Sequence, residues 1–247
     1  MFTKRDILLA AILLLCGWEI AALLLDSMAL PQPWQVMADF GGKLIRGEIV
    51  DDILISGLRA MAGVALGAAT AIPLGLLIGN EAPLQKRLSP FIYLLYPIPH
   101  VVLLPLIIIL FGIGNLSKIV LIALIIFFQI LVTTRDAAKD IHQNYLYSLQ
   151  TLGANKWQLY CHVIVPATLP VILTAMRISI GTAVAILFFV ESFATTKGLG
   201  YIIMDSWGRA NYVALYSGIT GMALLGFSLY LLLDRLEHYL CPWNQVK

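Results

Sequence analysis

The residues that could carry out covalent chemistry are few in this chain, and their spacing matches no common catalytic pattern. The sequence has no GxxxxGK[ST], HExxH or GxSxG motif, and "GLGYI" at Gly198–Ile202 falls short of GxGxxG. Zinc sites and disulfide frameworks need clustered ligands or paired cysteines. Here the four histidines and three cysteines are dispersed: His100, His142, His162, His238, Cys16, Cys161 and Cys241. We therefore predict that the chain is not an enzyme, binds no metal and holds no cofactor of its own.

Composition indicates that the solvent for much of this chain is a lipid bilayer. Of the 247 residues, 60% are hydrophobic and only 12% are charged. A soluble domain of this length has about a quarter charged residues, and it could not bury so much apolar surface. The net charge of +2 is small and scattered, which argues against a nucleic-acid partner.

Six apolar segments are long enough to cross the membrane, which takes about 20 residues for about 30 Å of hydrocarbon. The predicted fold is therefore an all-α polytopic membrane protein with six transmembrane helices, forming one domain over residues 1–247. The predicted spans cover residues 7–25, 55–78, 91–113, 119–134, 171–190 and 212–233.

Loop charges predict the orientation of these spans. With a cytoplasmic N-terminus, nine loop lysines and arginines fall on the cytoplasmic side and five on the other. We therefore predict that both termini are cytoplasmic. A competing interpretation takes Lys4, Arg5, the apolar run and "SMA" at Ser27–Ala29 as a cleaved signal peptide. The run is long for such a peptide and contains Glu19, which favours a retained first span.

Four ionisable residues lie within or at the ends of the predicted spans: Glu19, Arg59, Arg177 and Glu191. Charged groups are costly in hydrocarbon, so they face a partner, a helix end or a wet cavity. An ion pair or snorkelling to the surface explains each of them, and so does a place along a translocation pathway. We keep Arg177 and Glu191 as pathway candidates.

Glycine and proline gather in the second and third predicted spans. "GVALGAATAIPLGLLIG" at Gly63–Gly79 repeats small residues at the spacing that lets two helices approach closely. "YPIPH" at Tyr96–His100 interrupts the third span, which is compatible with a simple kink or with a wall of a wet pathway. Gly67, Pro97 and His100 join the pathway candidates.

The segment 135–170 differs from the apolar segments around it. Leu146, Leu149 and Leu152 form an apolar stripe at helical spacing, and Gly153 suits a helix C-terminus. Asn155 and Gln158 then have the spacing of a capping box that opens a second helix. The segment thus predicts a helix, a break and a helix at the cytoplasmic face. The stripe is covered either by a partner or by the chain's own bundle.

Three ordered motifs resemble one family. "TLGANKWQLYCHVIVPATLPVI" at Thr151–Ile172 resembles the EAA loop, EAA-x3-G-x9-I-x-LP, of ATP-binding-cassette (ABC) importer permeases. "YPIPHVVLLPLIIILFGIGNLSKI" at Tyr96–Ile119 and "ESFATTKGLGYII" at Glu191–Ile203 resemble the nitrate, sulfonate and taurine branch. The resemblance covers residues 53–243.

The resemblance implies the permease subunit of an importer in a bacterial inner membrane. Such a permease works as a homodimer with two ATPase subunits, which carry ATP and Mg, and an extracytoplasmic substrate-binding protein. Its EAA loop is the coupling helix that sits in a groove on the ATPase. The resemblance therefore implies coupling residues here: Leu146, Tyr147, Ser148, Leu149, Leu152, Gly153, Ala154, Asn155, Lys156 and Trp157.

One departure from the family pattern concerns the glutamate of EAA, whose position is Tyr147, followed by Ser148 and Leu149. "DAA" at Asp136–Ala138 lies too far before Gly153 to replace it. In the family this glutamate makes a charged contact with the ATPase, and that contact is in doubt here.

The expected function is ATP-driven import of a small solute of the nitrate, sulfonate or taurine kind by alternating access. Alternatives are a permease for another small solute, such as a heterocyclic cofactor precursor, an amino acid or a metal chelate. An ATP-independent secondary transporter and a channel or scaffold are further alternatives. A secondary transporter often shows inverted repeats, and none is evident in the sequence.

Overall fold

Helices make up all the regular structure in the computed structural model, which describes residues 4–193 and 195–245. The all-α prediction is confirmed. The first six α-helices are α1 (Lys4–Leu25), α2 (Pro33–Ile45), α3 (Val50–Asn80), α4 (Ala82–Leu95), α5 (Leu104–Phe111) and α6 (Asn115–Lys139). The other five are α7 (Gln143–Thr151), α8 (Lys156–Leu159), α9 (Val165–Glu191), α10 (Leu199–Gly208) and α11 (Tyr212–Leu240). Short 3-10 helices cover His100–Leu103 and Pro242–Gln245.

Five helices in the described ranges are long and apolar enough to cross a membrane: α1, α3, α6, the run from α8 through α9, and α11. The count becomes six when α4 and the 3-10/α5 pair are taken together as one broken span. Five of the six predicted spans therefore lie within single helices, and most of these helices extend beyond them. Their ends differ because hydropathy marks the apolar part of a helix and the backbone hydrogen bonds continue past it.

The third predicted span, residues 91–113, is not one straight helix. α4 ends at Leu95, the next helical turn starts at His100, and the two halves are bent by 79°. Pro97 and Pro99 lie in this break. A proline has no N–H to donate and disfavours helical backbone in the residue before it, so two prolines in this short stretch end the helix.

Glycines let α3 pack directly on α6. A Cβ atom at Gly67 would lie 2.8 Å from the backbone oxygen of Ala123, and one at Gly75 would lie 2.7 Å from Cβ of Thr134. A Cβ at Gly79 would overlap the backbone oxygen of Arg135. The glycine spacing thus has the packing role predicted for it, because lipid gives two helices no hydrophobic reason to associate and close contact must supply it.

The chain divides into two compact units. One consists of the described parts of Met1–Ser56 and Glu191–Leu225, and the other of Gly57–Val190 and the described part of Gly226–Lys247. We call them the first and second unit. α3, α9 and α11 contribute residues to both. The prediction of a single membrane domain over 1–247 stays a prediction.

In the first unit, two short helices that the hydropathy pattern did not predict, α2 and α10, pack beside α11. Gly221 of α11 faces Leu199 of α10 and Phe40 of α2, and Val36 and Leu199 are fully buried. The indole N–H of Trp18 donates to the carbonyl oxygen of Pro31 at 3.0 Å, which fixes the turn after α1. The unit therefore has an apolar core of its own.

Enlarging Gly67 will separate α3 from α6. We expect Gly67→Val to lower the free energy of unfolding by about 1 to 3 kcal/mol, because the added carbons meet backbone atoms that cannot move aside. Gly181→Val in α9 is the matched control, since a Cβ there meets nothing within 4 Å. Thermal unfolding of detergent-solubilised protein measures both. Equal losses at the two positions would contradict direct α3–α6 packing.

Candidate coupling loop and pathway residues

The loop resembling an EAA loop begins with α7, whose first turn is capped by His142. Nδ1 of His142 accepts a hydrogen bond from the backbone N–H of Asn144 at 3.3 Å. Leu146 packs inward against a buried cluster formed by residues of α3, α6 and the run into α9: Leu76, Ala138, Ile164 and Ile172. One face of α7 is therefore part of the core of the second unit.

The opposite side of the loop is open. Tyr147 is 56% exposed, Leu152 is 82% exposed and Trp157 is 75% exposed. The sequence left open whether the apolar stripe folds back on its own bundle or is covered by a partner. In the structure the three leucines of the stripe differ. Leu146 packs on the bundle, Leu149 is half-buried, and Leu152 is exposed.

The predicted break between two helices is confirmed at Gly153. Its φ angle is +82°, a left-handed conformation that glycine adopts without strain. Its backbone N–H donates to the carbonyl oxygen of Gln150 at 2.9 Å, and the N–H of Ala154 donates to that of Leu149 at 3.2 Å. α7 thus ends in a hydrogen-bonded turn.

The predicted capping box is also confirmed. Oδ1 of Asn155 accepts from the backbone N–H of Gln158 at 2.9 Å, and Oε1 of Gln158 accepts from the backbone N–H of Asn155 at 2.8 Å. This reciprocal pair satisfies two of the N–H groups left free at a helix start. It fixes the residue at which the chain leaves the turn.

The helix that starts at Lys156 continues without a break to Glu191, over 36 residues. A π-helical turn at Tyr160–Ile164 widens it just before Pro166. Proline cannot donate to the carbonyl of His162 and its ring crowds that oxygen, so a wider turn there accommodates it. The second half of the loop is therefore a continuous helical extension of the predicted fifth span.

Two polar contacts hold the start of this helix to the end of α3 and the residue after it. Nζ of Lys156 lies 3.0 Å from Oε1 of Glu81, and the amide of Asn80 donates to the Tyr160 hydroxyl at 3.4 Å. A cavity of about 520 Å³ lies beside them and is also lined by Gln143 of α7. The loop is thus attached to the second unit at both of its helices.

The pathway candidates of the second unit do not form one cluster. Gly67 contacts the Ala123–Phe127 stretch of α6, and the His100 ring stacks on Phe128 of the same helix with centroids 4.5 Å apart. Pro97 is exposed in the break after α4. Gly67 and His100 therefore touch neighbouring turns of α6. Their role in a pathway stays a prediction.

Arg177 lies in an ion-pair cluster with α11. Its guanidinium nitrogens are 2.6 Å from Oδ1 of Asp234 and 3.3 Å from Oε2 of Glu237, and the group lies over the ring of Tyr230. Two carboxylates three residues apart on α11 thus face one cation, which is how a charge in a membrane helix is usually accommodated.

Glu191 is fully buried in the first unit, where it joins α3 to Gly198 and the first residues of α10. Its carboxylate oxygens each accept from the hydroxyl of Ser56 at 2.8 Å, and Oε2 accepts from the N–H of Gly200 at 2.9 Å. Ser56 Oγ in turn accepts from the N–H of Leu199 at 2.9 Å, and Asp52 accepts from that of Gly198 at 2.6 Å. The pathway role of Glu191 stays a prediction.

Gly198 is required by this cluster for two reasons. Its φ angle is +118°, and a Cβ atom there would lie 2.5 Å from the carboxyl carbon of Glu191. Sequence reasoning singled out Glu191 and missed Ser56, Asp52 and Gly198. The sequence did carry a signal, because "GLG" at 198–200 follows the glutamate at the end of an apolar span, and a glycine-rich turn offers backbone N–H groups to an anion.

The family described as the binding-protein-dependent transport system inner membrane component matches residues 71–244 of this chain. This chain belongs to that family. It is therefore an ABC importer permease and an integral inner-membrane protein.

Relatives of this permease place it in the sulfonate and taurine branch. The taurine transport system permease protein TauC of Escherichia coli strain K12 is 32% identical over 240 residues, covering 95% of this chain and 87% of that protein. SsuC of Bacillus subtilis strain 168, named for the transport of aliphatic sulfonates, is 31% identical over 242 residues, covering 97% and 87%.

A solved structure has the same fold. A chain of the MetNI methionine ABC transporter, from a crystal form with inward-facing conformations, superposes with a TM-score of 0.67. The match covers 78% of this permease and 95% of that chain, with 20% sequence identity. At this identity the likeness concerns the fold alone, and it confirms the architecture.

Removing the Ser56 hydroxyl will loosen the segment before α10. We expect Ser56→Ala to raise the rate of tryptic cleavage after Lys197 by at least about fivefold, since a buried carboxylate and the Leu199 N–H lose a partner at a cost of about 1 to 3 kcal/mol. Ser27→Ala, at an exposed serine of the same unit, is the control. An unchanged rate in Ser56→Ala would show that the cluster does not hold this segment.

Proposed function

We propose that this permease is the membrane subunit of an ATP-driven importer for taurine, an alkanesulfonate or a similar small solute. The observation that carries the proposal is the loop around Gly153, which is exposed on one side and packed into a membrane-helix core on the other. This arrangement suits a coupling element, which must contact a motor and the transmembrane helices at the same time.

The motor is a separate ATPase subunit, of which two copies bind two permease copies. The permease sequence has no P-loop, so ATP and Mg bind on that partner. An extracytoplasmic binding protein delivers the solute, in keeping with the family's description as binding-protein-dependent. Both termini and the coupling loop lie in the cytoplasm, as the loop charges predict.

Motion passes from the ATPase to the membrane helices by packing. A displacement of α7 acts through Leu146 on Leu76 of α3 and Ile172 of α9. The unbroken helix from Lys156 to Glu191 carries a second displacement directly into the membrane. Close-packed side chains transmit such movements because they resist compression.

Transport follows by alternating access at the dimer interface. ATP binding brings the two ATPase subunits together, the docked loops move with them, and the cavity between the permeases changes the side to which it opens. The ATPase can drive this change only if it binds the two permease conformations with different free energies. The contacts of the coupling loop supply that difference.

The names of the relatives support the choice of solute. TauC is named for taurine and SsuC for aliphatic sulfonates, and each alignment covers more than nine-tenths of this chain. Both solute classes carry a sulfonate group, which is a compact anion. The proposed substrate is therefore a small organic sulfonate.

Replacing Gly153 by proline will uncouple transport from ATP hydrolysis. Proline needs a φ angle near −65° and has no N–H for the Gln150 carbonyl, so the turn between α7 and α8 cannot form. We expect ATP-driven uptake in proteoliposomes to fall at least about tenfold while membrane insertion is unchanged. Gly153→Asn, which tolerates a left-handed backbone, is the control and retains most uptake. Normal uptake by the proline variant would refute the coupling role.

The solute can be tested with the same proteoliposomes, supplied with the extracytoplasmic binding protein that the proposed function requires. We expect accumulation of labelled taurine, suppressed by an excess of an alkanesulfonate and unaffected by β-alanine, the carboxylate of similar length. ATP-driven uptake of a different solute, with no competition by sulfonates, would overturn the substrate proposal and leave the importer role intact.

A further inference from the structure

The outward side of α7 carries no charge. We call coupling face the six exposed residues that lie away from Leu146: Asn144, Tyr145, Tyr147, Ser148, Thr151 and Leu152. No charged side chain occurs between Gln143 and Asn155. The nearest charges along the chain are Asp140 before α7 and Lys156 after the turn, and Lys156 is paired with Glu81 at 3.0 Å.

Two hydroxyl groups of the coupling face already donate hydrogen bonds within the helix, so they need no acceptor from a partner. The Ser148 hydroxyl donates to the carbonyl oxygen of Asn144 at 2.7 Å, and the Thr151 hydroxyl donates to that of Ser148 at 2.9 Å. Both donors are thus satisfied within α7. Tyr145 and Tyr147 flank this polar line and offer large amphipathic rings, which suit a groove with apolar walls.

A charged groove would fit this face poorly. A lysine, arginine or carboxylate of the partner would lose water on docking and meet no opposite charge between Gln143 and Asn155. A partner that buries an unpaired charge at the interface therefore binds more weakly than a partner with a neutral surface. The coupling face therefore selects against a charged surface as well as for an apolar one.

We infer that the coupling face docks into a groove of the ATPase subunit that is uncharged where it receives Tyr147, so that the contact depends on packing and not on ion pairing. The inference rests on the proposed function and adds the chemistry of the partner surface. It also specifies which ATPases fit this permease. An ATPase whose groove presents a cation for a carboxylate is a poor partner.

Charges of both signs at Tyr147 test this directly. The full-length permease in lipid nanodiscs is titrated with the ATPase subunit of the proposed importer. We expect Tyr147→Glu and Tyr147→Lys each to weaken binding by about tenfold or more, and Tyr147→Phe by less than about threefold. Because no ion pair is involved, the wild-type Kd changes less than about threefold between 50 and 500 mM salt.

Tyr239→Glu is the matched control, since Tyr239 is also exposed but lies at the end of α11. We expect this variant to bind the ATPase subunit as tightly as wild type does. Tighter binding by Tyr147→Glu together with weaker binding by Tyr147→Lys would show a basic groove and overturn the inference, while docking itself stands. A steep loss of wild-type binding with salt would do the same. If Leu149→Asp and both charged Tyr147 variants bind as well as wild type, the loop does not dock, and the proposed function fails together with the inference.

Discussion

In the proposed mechanism, transport depends on one contact, the packing of Leu146 against the buried cluster of Leu76, Ala138, Ile164 and Ile172. It joins a helix with an exposed, uncharged face to three apolar helices of the second unit. Without it, α7 would be a short surface helix, and helices of this length have little stability in isolation. With it, α7 packs on α3, α6 and the run into α9 together, so the proposed mechanism transmits a force on the exposed face to all three.

Glycines in α3 give the second unit a second close contact, between α3 and α6. Gly67, Gly75 and Gly79 bring α3 to within backbone contact of α6, and Leu76 of the buried cluster beneath Leu146 lies on this same stretch of α3. A coupling contact is effective only if the helix it moves is well packed, because voids would absorb the displacement. In the proposed mechanism, close glycine packing and the Leu146 contact therefore both help to transmit a displacement of α7.

The sequence predicted local structure well where a backbone conformation strongly favours particular residue types. The left-handed turn at Gly153 and the capping box of Asn155 and Gln158 depend only on neighbours, and both are confirmed. The family resemblance is likewise confirmed. In the third span, residues 91–113, the prolines of "YPIPH" predicted an interruption, and the break between Leu95 and His100 confirms it. The size of the bend, 79°, could not be predicted, because hydropathy counts apolar residues and carries no angle.

Long-range contacts were beyond the sequence. Ser56 and Glu191 are 135 positions apart, and Lys156 and Glu81 are 75 apart, so no periodicity links them. α2 and α10 were missed because they lie within stretches that hydropathy scores as polar breaks. The candidate site was therefore predicted at its turn and cap, while its attachment to the bundle needed the folded structure.

The most direct test of this account compares proteoliposomes that contain the permease and its binding protein with and without the ATPase subunit. The account predicts accumulation of labelled taurine against its gradient only when the ATPase and ATP are both present, whatever ion gradients are imposed. Accumulation by the permease without the ATPase, driven by a proton or sodium gradient, would contradict it.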